Sequence, residues 1–152
     1  MIEKLNRTVA EAAALHSKLV LLVAGSEKER SSLLHQLAER HGASILNIGS
    51  ELGAQLVPIP IKHRTLSVPT ILRSLAERHA ANGLLFLDNI ELLFDRNLQL
   101  DPLDLLKQLA RVRTTIVAWP GRALAGRLTY ADAKHPERRD YNPEGLVLFE
   151  IK

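Results

Sequence analysis

One glycine, two adjacent serines and a distant aspartate are the residues of this chain best suited to chemistry. Residues 25–32 read G-S-E-K-E-R-S-S, directly after an apolar run, and Asp88 closes a second apolar run. A phosphate-binding loop has the form G-x-x-x-x-G-K-[ST] between a strand and a helix, so that backbone N–H groups and the positive helix end face an anion. Gly25 and Ser32 fit that form; Arg30 stands at the second glycine and Ser31 at the lysine. In such a site the final hydroxyl and a strand-end aspartate share Mg²⁺, and the nucleotide phosphates and water complete its oxygen shell. Ser32 and Asp88 are therefore the candidate Mg²⁺ ligands. The alternatives are a first-turn hydroxyl for Ser32 and a helix N-cap for Asp88.

The cation that would meet the phosphates has to come from Lys28 or Arg30. Arg30 offers a planar fork but fills space that glycine leaves open for the backbone. Both also read as charges of a surface turn, and the flanking Glu27 and Glu29 are electrostatically unfavourable in a polyphosphate loop. Hydrolysis further requires a group that orients or deprotonates water. Asn89 follows Asp88 and can orient water without accepting its proton; Glu91 is the nearest carboxylate, and otherwise an exposed helix acid. Arg113, Arg122, Arg127, Arg138 and Arg139 are candidates to contact a γ-phosphate, in cis or from a neighbouring copy in a homo-oligomer, or to contact DNA. The six histidines show no metal-ligand spacing. Trp119, at a strand end, reads as core.

These residues need a frame. Leu19 to Ala24 and Leu84 to Leu87 are continuous apolar runs, the pattern of strands buried on both faces. Further strands are expected over 43–48, 115–119 and 146–151. Helical spacing marks 2–16 and, after a loop at 25–31, a segment running to about His41, with Gly42 as its C-cap. Ser67 reads as the N-cap of a helix with Pro69 in its first turn, ended at Asn82-Gly83; Asp101-Pro102 opens another. Residues 57–61, VPIPI, read as a connector, because proline cannot join a central ladder. Ile90 to Phe94 is a short apolar segment, and a short helix or loop follows Pro120-Gly121 through Leu128. Strands alternating with helices predict a three-layer α/β domain with a mostly parallel five-stranded sheet, spanning 1–152 as one unit.

Length and composition agree with one globular domain of 152 residues, 46% hydrophobic and 24% charged. Without cysteine, disulfides and thiolate metal sites are excluded. No apolar run suits a membrane span and the N-terminus lacks a signal-peptide pattern, so a cytoplasmic protein is expected, with no membrane partner. The net charge of +3 is uneven: residues 107–139 carry eight Lys/Arg against Asp132 and Glu137. Such a surplus suits phosphate, of a nucleotide or of nucleic acid, and equally a solvated basic face.

The segments LFLDNIELLFD (85–95), DPLDLLKQLARVRTTIVAWPG (101–121) and LTYADAKHPERRDY (128–141), with the loop at 25–32, resemble the AAA+-type P-loop ATPases. Among these the chain is most similar to the small P-loop proteins, the BrxF family, of type III BREX anti-phage systems. The likeness covers nearly the whole chain and its shortness, which leaves no room for a C-terminal helical lid. It implies ATP binding with Mg²⁺ and a part in phage restriction beside a DNA methyltransferase and other BREX proteins. The second reading is a pseudo-ATPase adaptor that binds DNA or partner proteins through its basic segment.

Overall fold

The computed structural model describes residues 1–15, 18–124, 126–130, 139–143 and 145–151. Five parallel strands form the central sheet: β1 (Leu19–Val23), β2 (Ile45–Asn47), β3 (Leu84–Asp88), β4 (Thr114–Ala118) and β8 (Val147–Glu150), in the order β2-β3-β4-β1-β8. β1 lies between β4 and β8, with Leu21 opposite Val117 on one side and Leu148 on the other. All five residues of β1 and of β4 are buried, as a strand covered on both faces requires. Side chains alternate across the sheet. Leu19, Leu21 and Val23 join one core and Val20 and Leu22 the other.

Helices α1 (Ile2–Ala12) and α2 (Glu27–Arg40) cover the face that holds Val20 and Leu22. Helices α3 (Ile48–Leu56), α4 (Ile61–His79) and α5 (Pro102–Val112) cover the other. The architecture is thus α/β with helices on both faces of a parallel sheet. At the end of α2, Gly42 takes φ +65°, and the amides of Ala43 and Gly42 donate to the carbonyls of Ala38 and Glu39, closing the helix as a left-handed residue permits. Asp101 caps α5 by accepting from the Asp104 amide, with Pro102 at the first helical position, as expected.

Three local expectations are corrected. Residues 27–31 are not loop: α2 begins at Glu27, because Ser26 and Glu29 form a reciprocal capping box. Ser67 is not an N-cap: α4 begins at Ile61, so Pro69 sits inside it and the Ser67 hydroxyl donates to the His63 carbonyl. The helix holds because Val68, Leu72, Leu75 and Ala76 bury one face across the proline. The segment after Gly121 is neither helix nor simple loop. β5 (Arg122–Leu124), β6 (Arg127–Tyr130) and β7 (Arg139–Tyr141) form a small antiparallel sheet. Aromatic packing fastens it to the main core. The Phe94 and Tyr130 rings stack at 3.9 Å, Trp119 meets Phe94 and Tyr141 edge-on, and the Trp119 indole donates to the Thr129 carbonyl at 3.0 Å.

Candidate functional site

Parallel strands place all their C-terminal ends at one edge. β4 pairs with both β1 and β3, so the turn after β1 and the acid ending β3 flank the same strand. The turn is short. Ala24 and Gly25 both take left-handed backbone, at φ +66° and +63°, and Ser26 already caps α2. Non-glycine residues are strained in that region, so Ala24 stores backbone strain at this turn. A Cβ on Gly25 would come within 3.0 Å of the Ile151 side chain, so position 25 is restricted by space as well as by φ.

The capping box fills the helix end that a phosphate would otherwise meet. The Ser26 amide donates to Glu29 Oε1 at 2.9 Å and the Glu29 amide donates to Ser26 Oγ at 3.0 Å. Hydrogen bonds from the Ser26 backbone and side chain hold the Glu29 carboxyl below its ordinary value, against a small opposing effect of burial. A carboxylate from the chain itself therefore sits where the helix dipole favours an anion. Arg30 closes the turn from inside. It is only 9% exposed, and its Nη1 donates to the carbonyls of Gly25 at 2.8 Å and Ala24 at 3.0 Å.

The serine that meets Asp88 is Ser31. Its hydroxyl donates to Asp88 Oδ2 at 2.7 Å, and the Asn89 amide donates to Oδ1 at 2.8 Å. Ser32 is one residue, about 100°, further round the helix. It lies with Lys28 in surface clefts along α2, and its Oγ accepts from Gln36 at 3.3 Å. The hydroxyl bonded to Asp88 is thus that of Ser31 and not of Ser32, and Lys28 shares a cleft with Ser32 rather than one with Gly25.

Asn89 has left-handed backbone at φ +53°, and its amide group donates to Asn47 Oδ1 at 3.1 Å. Asn47 in turn caps α3. A Cβ at Gly49 would lie 2.5 Å from Asn89 Nδ2, so Asn89 is wedged against the start of α3. Its role in this structure is to join β3 to α3. Glu91 is half-buried in the 3₁₀ turn Ile90–Phe94. Burial raises its carboxyl above the ordinary value, and the charges of Glu27 and Asp88 push the same way; a hydrogen bond from its own backbone and the charge of Arg30 oppose the rise. Glu91 therefore feels the electrostatics of Asp88, but no group of three or more metal-ligating side chains forms among the described residues.

The arginines separate. Arg113 precedes β4 and lines a cleft between α4 and α5, at the N-terminal edge of the sheet, so it does not reach Asp88. Arg122 faces the Gly25 turn across a cleft. Arg127 pairs with Asp140 at 2.8 Å. Arg139 opens β7, and Arg138 lies outside the described residues. What sequence reasoning missed is the capping box. The signal was present as S-E-K-E at 26–29, a serine followed three residues later by glutamate at a helix start.

No protein-family model, no curated protein and no solved structure matches this chain. Among the described residues, no helix is long and apolar enough to cross a membrane.

Proposed function

We propose that the chain is a P-loop-type domain whose phosphate cradle has been replaced by internal contacts, and that it serves as a non-hydrolysing adaptor of a BREX-type anti-phage complex. The observation that carries this reading is Arg30, whose guanidinium binds the two carbonyls of the turn where a phosphate loop would open towards its ligand. The capping box supports it: helix α2 starts at Glu27, leaving three residues, Ala24 to Ser26, between strand and helix. A wrapped phosphate needs a longer span of free backbone N–H groups. The resemblance of residues 85–95, 101–121 and 128–141 supports the phage-defence context, with other BREX proteins or DNA as partners.

A second reading, an AAA+-like ATPase with a degenerate loop, draws on the Ser31–Asp88 contact. A hydroxyl and a carboxylate at 2.7 Å on this edge match the Mg²⁺ side of such a site with the serine shifted by one residue. Titration calorimetry with ATP and Mg²⁺ separates the two. The adaptor reading expects no heat of binding at millimolar ligand for the wild type, and binding once Arg30→Gly and Ser31→Lys together restore G-S-E-K-E-G-K-S. Wild-type binding that Asp88→Ala abolishes would overturn the adaptor in favour of the ATPase.

A further inference from the structure

A second set of chemically competent side chains meets away from the Asp88 edge. Ser44 is exposed and stands immediately before β2. Asn47, the last residue of that strand, pairs with Asp88, so Ser44 lies about 10 Å back along three residues of strand, towards the opposite edge of the sheet. Glu51 is in the first turn of α3, and His79 is the last residue of α4. Asn82 Nδ2 donates to the His41 carbonyl at 3.1 Å, which ties the turn after α4 to the turn before β2. That tie holds the end of α4 beside Ser44.

His79 is engaged at both ring nitrogens. Its Nε2 lies 3.0 Å and 3.1 Å from the two carboxylate oxygens of Glu51, and its Nδ1 lies 3.3 Å from Ser44 Oγ. A carboxylate only accepts hydrogen bonds. In the neutral imidazole Nε2 therefore carries the proton, and Nδ1 keeps its lone pair for the Ser44 hydroxyl. The imidazole is 20% exposed and the Glu51 side chain 37%, whereas the serine stands open to solvent. The base is shielded and oriented, and the nucleophile is accessible. A tie between α3 and α4 needs only the His79–Glu51 pair. With the hydroxyl on the other nitrogen, nucleophile, base and orienting acid stand in a row.

We propose that Ser44, His79 and Glu51 form an acyl-transfer site for small carboxylic esters, with Ser44 as nucleophile, His79 as general base and Glu51 as the positioning residue. Ser44 Oγ attacks the ester carbonyl carbon, and its proton passes to His79 Nδ1. The bond from that carbon to the alcohol oxygen breaks, and the leaving oxygen takes the proton. Water then attacks the acyl-Ser44 and gives a proton to Nδ1; the serine oxygen recovers it as the carboxylic acid departs. Glu51 fixes the ring and faces the positive charge that it gains in each step. An open serine draws little binding energy from its surroundings, so the substrate class is esters with a good leaving group rather than amides. The proposal goes beyond the adaptor reading and uses none of its residues.

The test is incubation of the full chain with an alkyl fluorophosphonate, read by peptide mass mapping, and with p-nitrophenyl acetate, read by release of the phenol. A bond from Ser44 Oγ to phosphorus is expected to form as fluoride leaves, giving a single label at Ser44. Ser44→Ala, at an exposed position, should abolish the label and return ester hydrolysis to the buffer rate, with an unchanged urea midpoint. His79→Ala should slow both reactions about a hundredfold or more, the weight of a general base. Glu51→Gln presents an amide N–H to Nε2, so the ring should turn to the Nδ1–H tautomer, seen in nitrogen NMR of His79, and labelling should slow with it. No label at Ser44, or a label indifferent to His79→Ala, would reduce the cluster to a tie between α3 and α4 and overturn the proposal. Hydrolysis that survives Ser44→Ala overturns it as well. An unchanged tautomer and labelling rate in Glu51→Gln would remove Glu51 from the site.

Discussion

Which serine meets Asp88 is decided by where α2 begins. With the helix starting at Glu27, Ser31 lies on the face towards β3 and Ser32 on the next. The same contraction brings Glu27 close enough to act on Glu91. The Glu91 carboxyl, raised chiefly by burial, titrates above its ordinary value. Between that ordinary value and the raised one the folded state holds more protons than the unfolded chain, so this residue's contribution to stability falls as pH rises through the window. Glu91→Gln removes the penalty. The variant is expected to be more stable than wild type to urea at pH 7, with the difference closing below about pH 4, where both side chains are neutral. Equal stability at every pH would show that Glu91 carries no such strain. Glu29 works with the opposite sign: its lowered carboxyl supports the fold above the ordinary value, and that support is lost as pH falls.

Helix α4 carries the clearest conflict between an element and its sequence. Pro69 has no N–H to give the Thr65 carbonyl and stands eight residues into the helix that begins at Ile61. The Thr65 hydroxyl donates to the Leu98 carbonyl at 2.8 Å, and Arg64 Nε donates to the Ile59 carbonyl, so the first two turns are held by side-chain bonds as well. Those ties, with the buried face from Val68 to Ala76, outweigh a proline that alone would end a helix. Pro69→Ala is expected to stabilise the protein by about 1–3 kcal/mol, read from the urea midpoint at constant slope. A loss of stability would mean that the ring's packing in the α4–α5 cleft matters more than the missing hydrogen bond.

At the scale of the whole molecule, two sheets share one core. Trp119 is the joint: fully buried, at the end of β4, it contacts Phe94 and Tyr141 and donates to Thr129. Trp119→Ala is expected to cost about 3–5 kcal/mol. Hydrogen exchange should show the loss concentrated in β5, β6 and β7, while β1 and β4 amides keep most of their protection. Uniform loss across both sheets would show that the small sheet has no separate opening. The basic segment is also dispersed at this scale. Arg113 precedes β4 and Arg122 lies in β5 beyond its other end, with the five-residue strand, about 16 Å long at roughly 3.3 Å per residue, between them. Arg113 and Arg122 therefore lie towards opposite edges of the sheet.

The sequence alone determined the buried strands, the helix ends at Gly42 and Asp101, and the meeting of the Gly25 turn with Asp88 at one sheet edge. Each follows from local signals, such as apolar runs, caps and turn residues, together with the one geometric rule that parallel strands end on the same side. Whether the loop at 25–32 is open or closed was also written locally, in S-E-K-E, but that motif competes with the phosphate-loop pattern over the same residues. Tertiary structure decided the contest, because Arg30 finds its carbonyl partners only once the turn has folded back. The small sheet of β5, β6 and β7 depended on tertiary structure more fully. Its strands are three or four residues long, too short for periodicity to register, and aromatic contacts between residues distant in the chain fasten them to the main core.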